Sequence, residues 1–227
     1  MRRTKGGDEI DNLKKATQMI DYAYGVAKRN AITGKSELDI YREMNYRTFA
    51  KYGPFAWIIG DHVSGERSLA VGGWATPRRF RKTDTIVLDL QAAHNNYWSD
   101  LCRTFVVGKP SKKQVRAHDV LIKAKERAEE LLEPGTKGSE IYEAVTREIE
   151  RAGYPRLPHH AGHTIGLDDQ ERPWMIPGEG EGLEEGMVCV VEPGIYTPQT
   201  GGIRIEDCYV ITKTGHERVS RFPLGLT

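Results

Sequence analysis

The chain has 227 residues, 38% apolar and 29% charged, with a formal charge of +1. That length supports one sizeable core, and the balance is that of a globular chain rather than a disordered one. A charge so close to zero excludes a global field that would gather nucleic acid or an anionic membrane, and no run approaches the roughly 18 apolar residues of a membrane span.

In chain order, Ile10, Leu13, Ala16, Ile20, Ala23 and Ala27 recur at helical spacing, which predicts an amphipathic helix from Asp8 to about Asn30. A second helix is expected from Ser36 to about Tyr52, with Ser36 and Asp39 as an N-terminal capping pair and Gly53 as the stop. Ala56–Val63, Ser68–Gly73, Thr85–Gln91 and Tyr97–Val107 read as strands. The basic run Arg78-Arg79-Phe80-Arg81-Lys82 reads as a solvated loop. Helices follow at Ser111 to about Leu132 and Ser139 to Ala152, separated by Pro134-Gly135, and then strand-like runs at His159–Gly166, Met187–Tyr196 and Gly202–Thr212. Helices followed by mostly hairpin-linked strands indicate an α+β fold. The joins Thr33-Gly34-Lys35-Ser36-Glu37 and Thr136-Lys137-Gly138-Ser139-Glu140 are alike, which suggests a pseudo-twofold duplication of a helix-helix-sheet unit. Coincidence is the alternative, because such sequences commonly start helices.

The start MRRTKGGDEIDNL has no apolar stretch behind its basic residues, so no secretory signal is read there. Cys102, Cys189 and Cys208, none in a CxxC pair, are expected to be buried small hydrophobes in a reducing compartment. A cytoplasmic location follows as the expectation.

The chemistry lies in acids that interrupt strands. Asp89 sits in Thr85-Ile86-Val87-Leu88-Asp89-Leu90-Gln91, and Asp100 follows in Trp98-Ser99-Asp100-Leu101-Cys102. A hairpin turning near His94-Asn95-Asn96 would let the two carboxylates face one another, where they repel unless a cation lies between them. Glu192 ends an apolar run, and Glu206 sits in Ile203-Arg204-Ile205-Glu206, with Arg204 two residues away and expected on the same face as an ion-pair partner. For any one acid, a salt bridge is the plainer reading. His159-His160-Ala161-Gly162-His163 supplies imidazole beside glycine. Four carboxylates and one neutral imidazole suit two Mn²⁺, Zn²⁺, Fe²⁺ or Co²⁺ ions, and such a pair can activate a bridging water and polarise a carbonyl.

The stretches Asp89–Phe105, Gly162–Leu167, Glu192-Pro193-Gly194-Ile195-Tyr196 and Gly202–Asp207 resemble the four ligand-bearing motifs of the pita-bread metallopeptidases. That group contains methionine aminopeptidase, aminopeptidase P and prolidase, and the Glu-Pro-Gly-Ile-Tyr form is more similar to the latter two. The resemblance covers essentially the whole chain as a single catalytic domain, 1–227, without the N-terminal domain that prolidases usually carry; a short form and a fragment are both open. It implies that Asp89 chelates one ion, Asp100 and Glu206 bridge, and His163 and Glu192 hold the second. Glu192 would also take the proton of the nucleophilic water. His159 matches a further family histidine near the substrate, and Arg204, within the matching Gly202–Asp207 motif, could form its ion pair or orient a ligand.

Two family histidines are missing. One position falls at Gly72 or a close neighbour, and the other at Gln170, which can still donate a neutral hydrogen bond. Three readings therefore stand: a peptidase of short Xaa-Pro peptides; a hydrolase or lyase of a non-peptide small molecule on the same two-metal site; and a non-catalytic binding module, against which five intact ligands argue. A small closed pocket lined by Gly72, Trp74, His94, His159 and Gln170 would favour the second. His94 is a candidate substitute imidazole, with an ordinary turn residue as its plainer reading. The resemblance allows a homodimer, and neither nucleic acid nor membrane is expected as a partner.

Overall fold

The structure, a computed structural model, describes residues 2–227. The first half comprises α1 (Gly7–Asn30), α2 (Glu37–Tyr52), β1 (Ile59–Ser64), β2 (Thr85–His94) and β3 (Tyr97–Val106), the strands forming an antiparallel sheet in sequence order. The second half comprises α3 (Lys112–Glu129), α4 (Gly138–Arg151), β4 (Gly162–Thr164), β5 (Glu171–Trp174), β6 (Val188–Val191), β7 (Gly194–Thr197), β8 (Gly201–Arg204), β9 (Asp207–Thr212) and β10 (Gly215–Arg218). Its strands form a sheet of order β10-β9-β6-β4-β5 and a separate β7-β8 hairpin. The α+β expectation is met. Among the described residues no helix is long and apolar enough to cross a membrane.

The halves repeat one construction. Before α2, Gly34 N–H donates to Phe80 O and Phe80 N–H to Lys35 O; before α4, Gly135 N–H donates to Leu183 O and Leu183 N–H to Thr136 O. Each helix then opens on an acid that accepts from the N-cap backbone, Asp39 from Ser36 and Glu140 from Lys137. Matching sequence, matching hydrogen bonds and matching element order favour duplication over coincidence. Because Glu140 caps Lys137, α4 begins at Gly138 rather than at Ser139, and a Cβ on Gly138 would lie 2.1 Å from Trp174 O.

Strand alternation divides the interior. Ile86, Leu88, Leu90 and Ala92 of β2, with Leu101 and Phe105 of β3, pack in one core with residues of α1 and α2. Val188 and Val190 of β6 join that core, whereas Cys189 and Val191 enter a second core with residues of α3 and α4. The second sheet is therefore buried on both faces. All three cysteines are free and buried, as expected.

Four expectations change. Ser68–Gly73 is not a strand: Gly65, at φ 53, turns the chain into a 3-10 helix over Gly65–Ala70, and Ser68 Oγ donates to Gly65 O. The run Met187–Tyr196 divides into β6 and β7 of different sheets, because Pro193 has no N–H to continue a ladder. The run Gly202–Thr212 divides likewise, with Ile205 N–H turned to Pro193 O and Glu206 N–H to Cys102 O. The basic run is not simply solvated: Phe80 is in the core, and Arg78 pairs with Glu66 at 2.6 Å and Asp84 at 2.7 Å. Strands β5 and β10, ERPW and GHER, are short and lack alternation, so no strand signal marked them.

Candidate metal centre

The β2-β3 hairpin turns at Asn95-Asn96, both at positive φ, and sets Asp89 opposite Cys102 and Gln91 opposite Asp100. Opposed residues of an antiparallel pair share a face. Asp89, Gln91 and Asp100 therefore project together, away from the helix-packed face that holds Leu88 and Leu90. The breaks in the second half place the other acids. Glu192 lies just past β6, its N–H bonded to Ala161 O, and Glu206 lies just before β9, its N–H bonded to Cys102 O of β3. Arg103 locks this junction, donating to the carbonyls of Glu206 and Cys102 and to Asp207 Oδ1 at 2.6 Å.

His163, on β4, is brought to the same point. Its Nδ1–H donates to Thr164 O at 2.9 Å, which leaves the Nε2 lone pair directed at the acids, 3.9 Å from Asp100 Oδ2 and 3.7 Å from Glu192 Oε1. Burial holds His163 below the usual imidazole range, in the neutral form a ligand requires. Donor atoms of Asp100, His163 and Glu206 lie within 4.8 Å of one another.

The acids are poorly satisfied by protein groups. Asp89 Oδ1, Asp100 Oδ1 and both oxygens of Glu206 are buried without a hydrogen-bond partner. Burial, then mutual repulsion, raises the carboxyls of Asp100 and Glu206 well above the usual range; burial likewise raises Asp89, against the pull of Arg204. Burial would raise Glu192 as well, but the contact with His160 outweighs it and holds Glu192 at about 2. Unpartnered, converging oxygens beside one neutral imidazole form a donor set that fits divalent cations, which would supply the missing partners. Donor atoms of His159, His160 and Glu192 form a second such group, joined to the first by the 3.7 Å between His163 and Glu192. Asp89 lines the same cavity as Asp100 and Glu192; Asp89, Asp100, His163, Glu192 and Glu206 could hold such ions.

Arg204 differs from expectation. Its guanidinium meets Asp89 Oδ2 at 2.5 Å and Asp61 Oδ2 at 3.2 Å, not Glu206, because β8 ends at Arg204 and the chain turns before Glu206. Its Nη1 donates to Val71 O and to Tyr196 Oη, both at 3.1 Å. Tyr196 Oη is 2.8 Å from His159 Nε2, and His159 Nδ1 is 2.7 Å from His160 O. The carbonyl fixes the proton on Nδ1, so Tyr196 donates to Nε2. Burial presses His159 down to about 4.

A cavity of about 330 Å³ opens beside these groups, lined among others by Asp61, Trp74, Gln91, His160 and Gln170. It includes His159 and Arg204 but neither Gly72 nor His94. His94 stands at the far end of β2 in the pair with Tyr97, so the turn-residue reading holds for it. Sequence reasoning passed over Asp61, Gln91, His160 and Tyr196. Asp61 carried the signal that exposed Asp89, an acid inside a β-like run, and Gln91 lies two residues from Asp89, hence on its face.

Two helix-helix-sheet halves meeting at an acid-rich cleft of this kind define a metallohydrolase type of architecture. The chain belongs to metallopeptidase family M24, whose model matches residues 11–213. It is 36% identical to a Xaa-Pro dipeptidase of Pyrococcus furiosus over 97% of this chain and 64% of the relative. The solved prolidase from Pyrococcus furiosus superposes with a TM-score of 0.92 at 34% identity, covering 98% of this chain and 66% of that one. An X-Pro aminopeptidase from Thermotoga maritima superposes at 0.94 with 29% identity, over 100% of this chain and 64% of that one. The fold is therefore the pita-bread fold that the motifs implied. The chain spans 64% and 63% of the length of the two Pyrococcus Xaa-Pro dipeptidases it matches.

Proposed function

We propose that this chain is a dinuclear metal-dependent hydrolase that cleaves short Xaa-Pro peptides. The observation that carries the reading is the set of buried carboxylate oxygens without partners, on Asp89, Asp100 and Glu206, converging with His163 and Glu192. Its support from outside the chain is the likeness to proteins named Xaa-Pro dipeptidase and prolidase. Asp89, Asp100, His163, Glu192 and Glu206 would hold two ions drawn from Mn²⁺, Zn²⁺, Fe²⁺ and Co²⁺. Such ions would supply Lewis-acid chemistry, acidifying water and polarising the scissile carbonyl.

The chain's own groups do the rest. Glu192 faces the cavity as a carboxylate and accepts the proton of the attacking water, with His160 Nδ1 at 2.8 Å from its Oε1. Arg204 restrains Asp89 and, through Tyr196, the ring of His159. His159 has both ring nitrogens engaged, so it positions rather than transfers protons. Gln170 lines the cavity and offers an amide N–H to the substrate carbonyl where the family pattern has an imidazole. A missing oxyanion donor commonly costs on the order of 10²–10³ in rate, so turnover slower than that of a two-histidine site is expected.

The test is proline release from Gly-Pro and Leu-Pro by Mn²⁺-loaded protein, with chelator-treated protein and Glu192→Gln as controls. Metal-dependent release lost in the variant supports the proposal. Firm metal binding with neither dipeptide cleaved transfers the site to the second reading, hydrolysis or lysis of a non-peptide small molecule. Gln170 and Gly72, standing where imidazoles are expected, are the observation favouring that alternative. A cytoplasmic, homodimeric protein is part of the same proposal.

A further inference from the structure

We propose that Asp61 and Trp74 form a cation subsite in the cavity wall, selecting substrates whose residue before proline has a basic side chain. The inference rests on the peptidase reading above.

Asp61 is opposite Asp89 across the β1-β2 pair, so the two carboxylates share a face. Asp61 is held in place, its Oδ1 accepting Gly73 N–H at 2.8 Å. It also occupies the space beside Gly72, at or next to the position of the missing family histidine: a Cβ built on Gly72 would lie 2.3 Å from Asp61 Oδ2. Where the family pattern has an imidazole, this chain presents an anionic acceptor.

Asp61 shares its one cationic partner. Two divalent ions would balance Asp89, Asp100, Glu192 and Glu206, so Arg204 is the counter-charge of Asp61, but it lies closer to Asp89 (2.5 Å) than to Asp61 (3.2 Å) and leaves the cavity side of that carboxylate open. Asp61 keeps 36% of its side chain exposed and lines the cavity. Trp74 lines the same cavity with 69% exposure, so its indole is open to a ligand there. A carboxylate and an open indole together favour an ammonium or guanidinium over an equally long alkyl chain. With proline fixed as the second residue, the side chain of the first is the group free to carry that cation.

Lysyl-proline and norleucyl-proline differ by the ammonium and isolate the effect. The expected result is a preference in kcat/KM of about tenfold or more for lysyl-proline, falling toward unity in Asp61→Asn, reduced in Trp74→Leu, and shrinking as salt is raised. Calorimetric binding of the two uncleavable analogues, with the scissile carbonyl reduced to methylene, reads the same preference without turnover. Equal rates for both dipeptides in the native chain, or a preference that survives Asp61→Asn, would overturn the subsite and leave Asp61 as an anchor for Arg204. If neither dipeptide is cleaved but the lysyl analogue binds tighter in an Asp61-dependent way, the peptidase reading fails and the subsite stands. No cleavage and equal binding would remove both.

Discussion

Arg103→Met tests how the two halves are clamped at the site. Arg103 is 1% exposed and donates to Cys102 O at 2.9 Å, Asp207 Oδ1 at 2.6 Å and Phe222 O at 2.7 Å, and to Glu206 O. Methionine keeps much of the stem's volume and removes every donor. Some partners survive the change: Cys102 O still accepts Glu206 N–H, and Asp207 keeps Ser220 at 2.6 Å and Lys125 at 3.2 Å. What is lost is the main counter-charge of Asp207 and the clasp on the Glu206 and Phe222 carbonyls. Breaking a buried pair costs about 3–5 kcal/mol, and the retained partners place this one near the lower end. For a chain of this size each kcal/mol moves Tm by roughly 2–4 °C, so a fall on the order of 10 °C is expected by scanning calorimetry or urea unfolding. Arg103→Lys, which keeps the charge but not the fork, should fall between. A loss below about 1 kcal/mol in Arg103→Met would refute the clamp.

Glu206→Gln removes a buried carboxyl whose ionisation is opposed by burial and by Asp100, and whose two oxygens have no protein partner. In chelator the variant should be more stable than the native chain by about 1–3 kcal/mol, while the upward Tm shift on adding Mn²⁺ should largely vanish; paired melts with and without metal read both. His62, buried and bonded to Gly60 O, is held down to about 4 by burial, so folding favours its neutral form. Its stabilising contribution is full above the unfolded value near 6.5 and is lost as pH falls toward about 4, at about 1.4 kcal/mol per pH unit and roughly 3 kcal/mol in all. Urea unfolding at pH 7 and pH 4 should show that loss, and His62→Gln should lack it.

The helices were legible because their apolar spacing and capping residues are local. Asp89 and Asp100 were legible because an acid in an apolar strand needs a partner, and a two-residue turn brings them together. Glu192 and Glu206 were recognised as anomalies, but the strand breaks beside them were not. Pro193 is a local signal, since proline cannot continue a ladder, whereas the diversion of the Ile205 and Glu206 N–H groups depends on contacts between distant segments, which no single stretch of sequence displays. The same limit explains Arg204. Spacing paired it with Glu206, whereas the fold delivers it to Asp89 and Asp61, residues more than a hundred positions earlier. Asp61 had the local signal of Asp89 but lay in no ligand motif, and only the fold shows its carboxylate packed against Gly72.

The most direct test of the whole account is the metal content of the chain after equilibration with Mn²⁺ or Zn²⁺ and removal of free ion, measured by elemental analysis for the native protein and for Asp100→Asn. Two ions per native chain, falling to one or none in the variant, is the expected result. No bound metal in the native chain, or a stoichiometry that Asp100→Asn leaves unchanged, would contradict the assignment of these five residues as a dinuclear centre.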